Sequence, residues 1–431
     1  MALDVTKLTR RIMMASLLAL GAAGAVGCAA DEEKVASGDE GPTGASVDDI
    51  TGVDQSKVKR QSIGNCWIYA TSSWVEALNK GATGVELNSS ESWMTYWHWF
   101  EQIANGTMWG EEISTGGSYD VAASLLNRYG VVLEKDFIAA EAESEMSNRQ
   151  STALAAINES LKNGALKDEK ARRDRKLVRA ELDKAWGLEA SVVTRLDAVF
   201  GADVSKTLDK SYVAKAPGNG ILRPADVPAL LHDPDTKATL KGTLQDALGR
   251  GKTRWMREGK YMFQEVSYPY DAIQRRAFWK RVQRALHDRV PVITSWAVDF
   301  NALTSSSRFS LAELERRGPG RQGGHMTVMH DYQANVPGIG LLKAGEQATP
   351  QQMEAALADG TKIEFVRVKN SWGGIRPDRW SDAAIAGYHD LESAYLDGPI
   401  KKCAEKDGHT DTTNCTSQQT PLWDVVLPAG Y

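Results

Sequence analysis

The chain has 431 residues, 42% hydrophobic and 25% charged, so it holds ample material for a packed core and is not a disordered polymer. Its formal net charge of −5 and the lack of a basic stripe argue against a nucleic-acid surface. The length allows one large domain or two to three smaller ones.

In chain order, Lys7, Arg10 and Arg11 form a positive start. The apolar run Ile12 to Val26 follows, too short to span a bilayer comfortably. It ends in Ala25-Val26-Gly27-Cys28, which resembles a bacterial lipobox although Ala25 stands where leucine is usual. Residues 1–28 therefore read as a lipoprotein signal peptide ending in the lipidation cysteine Cys28. The expected chain is exported and held to a bilayer through acylated Cys28. Ala29, in place of an aspartate, favours the outer membrane or cell surface. An ordinary secretory signal is the alternative. Residues 29–54 are acidic and rich in Gly, Ser and Thr, a tether without core material.

Ordered structure is expected from Gln55. Gly64 suits a tight turn, and Trp67, Ala70, Trp74, Ala77 and Leu78 recur at helical spacing, so Cys66 falls in the first turn of a helix. The aromatic cluster Trp93, Tyr96, Trp97, Trp99 and Phe100 reads as core, and His98 within it not as a ligand. A further helix is predicted over Tyr119 to Tyr129, stopped by Gly130. Residues 139–260 change character. Stretches such as Leu166 to Trp186, rich in Ala, Glu, Lys, Arg and Leu, predict a helical insertion broken by Pro217, Pro224 and Pro228. A solvated decoration is the plainer role for it, a lid over the site the other. Phe278 to His287 reads as an amphipathic helix. Pro291 to Val298, His325 to Tyr332, Ile363 to Val368 and Leu422 to Leu427 read as strands. A helical front half (55–138) and a strand-rich back half (261–431) make an α+β protein with its site between the two.

Only four cysteines are present. With Cys28 assigned to lipid, Cys403 and Cys415 lie close in a polar C-terminal loop that an exported chain can oxidise, a closure worth roughly 3 kcal/mol in the chain-entropy model. Metal binding there is disfavoured, because His409 alone between them leaves the ligand set short. This accounting leaves Cys66 as the unpaired thiol, either a buried core cysteine or a reactive one.

Three short segments carry chemistry: Gln61-Ser62-Ile63-Gly64-Asn65-Cys66-Trp67, Gly323-Gly324-His325-Met326, and Lys369-Asn370-Ser371-Trp372-Gly373. They supply a thiol whose pKa a helix N-terminus would lower, an imidazole base, and an amide able to orient that imidazole. Trp372 would cover the imidazole–amide bond. Gln61 and the backbone N–H of Cys66 would face a developing oxyanion. His330 is the rival base, but five places along a strand from His325 it faces the other way. No cofactor or metal is called for.

These residues, with Gly116-Gly117 and with Tyr332 seven places after His325, resemble the papain-like cysteine peptidases. The resemblance covers roughly residues 55–137 and 262–400. It implies a two-part fold, with Cys66 on the helical half and His325 and Asn370 on an antiparallel β half. It also implies Gly116 and Gly117 as binders of substrate backbone, and a peptide or protein substrate. Three departures stand out. Gln61 lies five places before the cysteine where the family has six, with Arg60 in the expected position. The family's disulfide cysteines near the nucleophile are absent. The insertion is long, which together with the missing disulfides is similar to the bleomycin-hydrolase-like branch. No family-sized inhibitory propeptide fits between Cys28 and Cys66. The expected function is peptide hydrolysis through a thioester. The alternatives are acyl transfer to an amine at the same site and an inactive peptide-binding surface lipoprotein.

Overall fold

Asn65 ends an irregular segment and starts the helix Cys66–Thr83. Its side chain does not cap that helix. It donates instead to Thr95 Oγ1 (3.0 Å) and Gln150 Oε1 (2.9 Å), tying the helix start to two neighbours. The helix stops at Gly84, which takes the left-handed conformation (φ 75°) that glycine adopts without a Cβ penalty. Trp67, Ile68, Trp74, Val75 and Leu78 are all buried, so this is a central helix packed on several sides. This computed structural model describes residues 53, 55–108, 110–208, 220–251, 256–376, 379–406 and 408–431. The expected signal peptide, Cys28 and, Val53 apart, the 29–54 tether lie outside the described residues.

Two longer helices and the short Glu134–Phe137 complete the front half among the described residues. Glu91–Asn105 begins at Ser90, whose hydroxyl accepts the N–H of Trp93 (3.0 Å). Tyr119–Tyr129 ends at Gly130, as its sequence predicts. The aromatic cluster is core: Trp93, Tyr96, Trp97, Trp99 and Phe100 are buried, and Trp97 stacks flat on Tyr129 at 3.9 Å.

The insertion enlarges this core. Helices Asn148–Lys162, Arg175–Trp186 and Ala190–Phe200 each bury an apolar stripe, in the second of them Val178, Leu182 and Trp186. Trp186 meets Trp99 (5.1 Å between rings) and Phe200 meets Trp97 (4.9 Å). This packing corrects the expectation of a solvated decoration: the spaced apolar residues bury, and Arg179 buries with them. The insertion is also not helical throughout. β1 (Val131–Val132) pairs with β2 (Ile221–Leu222), and β3 (Pro228–His232) forms an antiparallel hairpin with β4 (Thr239–Thr243). Asn79 of the Cys66 helix donates to the Pro228 carbonyl (3.0 Å) and seats that hairpin. The turn closes on Asp233, whose carboxylate accepts the Asp235 N–H (2.8 Å).

The back half is one eight-stranded sheet. Its members are β5 (Phe263–Ser267), β6 (Val292–Asp299), β7 (Arg308–Phe309), β8 (Gln322–Val336), β9 (Gly340–Leu342), β10 (Lys362–Lys369), β11 (Tyr388–Glu392) and β14. β12 (Ile400–Lys406) and β13 (His409–Gln419) form a separate hairpin, and β14 (Leu422–Pro428) returns to the sheet. The order is β5-β14-β6-β8-β10-β11-β7, with β9 beside β8, and only the β11–β7 pair is parallel. The Cys66 helix and the helix Ala272–His287 both pack on β6 and β8, so β6 is buried along its whole length. The C-terminal segment expected as a loop is the β12–β13 hairpin, with Cys403 directly opposite Cys415 and disulfide-bonded to it. The fold is α+β, and the Cys66 helix seals the joint between the halves.

Candidate active site

Cys66 occupies the first position of its helix and has no exposed surface. The first-turn N–H groups of a helix lack intrahelical acceptors, so a sulfur here sits at the positive end of the dipole. Its chemical state differs from expectation. Cys66 is disulfide-bonded, and no free cysteine remains among the described residues. Four cysteines permit two disulfides; assigning one of them to lipid removed that option from the sequence accounting.

His325 reaches the same joint from β8, where it stands opposite Trp296 of β6. It too has no exposed surface. Its Nε2 lies 2.7 Å from Asn370 Oδ1. The Trp372 indole stacks on the imidazole at 4.5 Å and 17°, and Trp296 meets it edge-on at 5.7 Å. Nδ1 is buried with no hydrogen-bond partner among the described residues. Burial pushes the imidazole pKa down to about 4, against which the Asn370 bond works upward. With the sulfur in a disulfide there is no thiolate to hold an imidazolium, and the ring is neutral.

Asn370 leaves the end of β10 with its own N–H on the Gly387 carbonyl (2.9 Å). Ser371 follows and links back to Gln61. The Gln61 N–H donates to the Ser371 carbonyl (2.9 Å), and the Ser371 hydroxyl donates to Gln61 Oε1 (2.6 Å). The next pairing, Arg60 with Trp372, extends this short antiparallel bridge. Gln61 Nε2 gives one N–H to the Ile63 carbonyl (2.8 Å), and an amide nitrogen carries two. Backbone pairing with Ser371 thus sets where Gln61 stands, whatever its spacing from Cys66.

Gly117 lies under Trp67, the residue after Cys66. A Cβ there would fall 2.4 Å from the indole, whose Nε1 donates to the Thr115 carbonyl (2.8 Å). Gly116 is buried beside it. His330 packs on Tyr388, away from the His325–Trp372 stack, at a bulge where β8 has one more residue than β10. The structure thus gathers Cys66, His325, Asn370, Trp372 and Gln61 at the joint, sets Gly116 and Gly117 against Trp67, and leaves His330 apart.

Two residues of the assembly escaped the sequence reading. His389 of β11 lies opposite Val368, and its Nδ1 is 3.2 Å from Asn370 Nδ2. Lys369 is buried behind Asn370 and donates to Ser56 (2.6 Å) and Ser73 (3.1 Å) hydroxyls. His389 carries no local motif and strand register brings it in; Lys369 stands in the Lys-Asn-Ser-Trp-Gly segment, but its burial against Ser56 and Ser73 is not legible there.

No family model matches the chain, and no curated protein matches it. Among solved structures it is similar to PepW from Lactobacillus rhamnosis HN001, at 13% identity over 89% of this chain and 81% of that one, with a TM-score of 0.41. It is similar to xylellain, a cysteine protease from Xylella fastidiosa, at 12% identity over 93% and 96%, TM-score 0.32. A third is digestive procathepsin L 3 of Tenebrio molitor larval midgut, at 13% identity over 94% and 76%, TM-score 0.32. All three likenesses are distant, and the chemistry of the site rests on its own geometry.

Proposed function

We propose that this chain is a papain-like cysteine peptidase that cleaves peptide bonds through a thioester on Cys66. The observation that carries the reading is the state of His325. Its Nε2 is committed to Asn370 Oδ1 at 2.7 Å, while Nδ1 is buried without a hydrogen-bond partner among the described residues, on the strand that packs against the Cys66 helix. A histidine held this way has one nitrogen oriented and the other left for proton transfer.

The disulfide has to be reduced before the cycle starts, because only a thiolate is nucleophilic. The thiol proton then passes to His325 Nδ1, and the resulting thiolate raises the imidazole pKa that burial now depresses. The sulfur attacks the carbonyl carbon and the carbonyl π pair moves to oxygen. The Cys66 N–H and the second Gln61 Nε2–H stabilise that oxyanion. The pair returns, the C–N bond breaks, and the amine leaves with the proton from His325. Water, giving its proton back to His325, hydrolyses the thioester and restores the thiol. Trp372 keeps bulk water off the His325–Asn370 bond throughout.

The reading includes export with a peptide or protein substrate; four cysteines cannot serve a lipid and two disulfides at once, so lipidation at Cys28 belongs to the form in which Cys66 is a thiol. The Cys403–Cys415 disulfide supports an oxidising compartment. The test is a peptide library presented to reduced wild type, unreduced wild type and reduced Cys66→Ala. Reduced wild type should cleave peptides and take up an epoxide thiol probe at Cys66. The alanine variant should lose at least about a thousandfold in kcat, and unreduced wild type should be silent. Undiminished hydrolysis by Cys66→Ala would sink the mechanism.

A further inference from the structure

Asn370 is held from both ends. The backbone N–H of Ser371 lies 2.7 Å from one terminal atom of its side chain. A backbone N–H can only donate, so that atom is Oδ1. The same Oδ1 faces His325 Nε2 at 2.7 Å, which assigns the His325 proton to Nε2. The other end is therefore Nδ2, a donor, and it points at His389 Nδ1 at 3.2 Å. His389 Nδ1 must accept, which makes His389 the neutral tautomer protonated at Nε2.

We propose that His389 is a positioning residue for the active site: by accepting from Asn370 Nδ2 it locks the amide with its oxygen toward His325. The proposal rests on the peptidase reading of Cys66, His325 and Asn370. β11 delivers His389 through its register with β10, opposite Val368 and two residues from Asn370 in the partner strand. Trp372 holds both imidazoles, stacked on His325 and edge-on to His389 at 5.2 Å and 79°. An apolar residue at 389 would leave the buried Nδ2 donor unpaired and remove one of the two anchors of the amide. Burial first, then repulsion from Arg379 and from His325 when it is protonated, push the His389 pKa down to about 3, so its Nδ1 lone pair stays available at working pH.

The test compares reduced wild type with His389→Leu and His389→Asn. Asparagine places an oxygen where Nδ1 stands; leucine places none. His389→Leu should lose about tenfold in kcat with KM little changed, in line with other partners of oriented catalytic groups. The acid limb of Cys66 alkylation by iodoacetamide should move up by about half a pH unit or more, because a misaligned amide supports the imidazolium less. His389→Asn should keep most of kcat and the wild-type limb. Equal kcat and equal alkylation profiles for leucine and wild type would overturn the proposal. So would an asparagine variant as impaired as leucine, which would mean that only ring packing matters. Should the leucine protein not fold, nitrogen chemical shifts of wild-type His389 decide: a bare Nδ1 is expected, and a protonated Nδ1 refutes. Alkylation and shifts need no peptide substrate, so they read this residue even where Cys66→Ala shows the peptidase reading to be mistaken.

Discussion

His325 shows how one neighbour sets the chemistry of a side chain. Trp372 covers its ring at 4.5 Å, and burial is the first cause of its pKa falling to about 4. Trp372→Ala should let water reach the His325–Asn370 bond. The His325 titration, followed by NMR in the unreduced protein, should then move up from about 4 toward the ordinary value of about 6.5. After reduction kcat should fall about tenfold. A titration unmoved by the change would mean that the strands, and not the indole, seal the ring. Cys66, His325, Asn370 and Trp372 were legible in the sequence because each sits in a contiguous motif. His389 was not, because a lone histidine after Gly387-Tyr388 acquires its partner only through the pairing of Val368 with His389.

Among elements, the long periodic ones were readable and the short ones were not. Cys66–Thr83, Tyr119–Tyr129 and the central strands β6, β8 and β10 carry enough apolar residues at fixed spacing to declare themselves. β4 and the β12–β13 hairpin do not: Thr-Leu-Lys-Gly-Thr and the run from Lys401 to Gln418 are polar, and cross-strand pairing makes them strands. Close approach of a loop to a helix is likewise invisible in sequence. Gly117 and Trp67 show it, the added Cβ of any other residue meeting the indole at 2.4 Å. Trp67 has no exposed surface, its Nε1 is bonded to Thr115, and the His98 ring lies 4.9 Å away edge-on. It has nowhere to retreat. Gly117→Ala should therefore cost about 1–3 kcal/mol in urea unfolding. It should also lower kcat/KM in reduced protein, since Trp67 is bonded directly to Cys66. Unchanged stability would show that the Gly116–Gly117 loop, not the indole, yields.

Across the whole molecule, the two halves are joined by buried charge as well as by apolar packing, and no sequence pattern announced it. Lys369 from the sheet shares Ser56 with Glu76 of the Cys66 helix; Lys59 bonds Glu76 (3.1 Å) and Glu91 (2.8 Å). Glu134 completes the group. Its carboxyl is pushed up to about 8, by burial first and then by the charge of Glu91, with Lys59 pulling the other way. One of its oxygens has no hydrogen-bond partner among the described residues. A folded value above the unfolded one means that the native state keeps a proton that the unfolded chain releases near pH 4.5. The stability tied to that proton is whole below pH 4.5 and drains away as pH rises to about 8. Glu134→Gln is neutral at every pH and of the same shape. The Tm difference between variant and wild type should be near zero at pH 4.5, grow in favour of glutamine up to pH 8, and level off above it. A shift of this size corresponds to a few kcal/mol, about 1.4 for each pH unit. A constant difference, or a glutamine variant that loses ground as pH rises, would mean that Lys59 needs Glu134 ionised and that the joint depends on its charge.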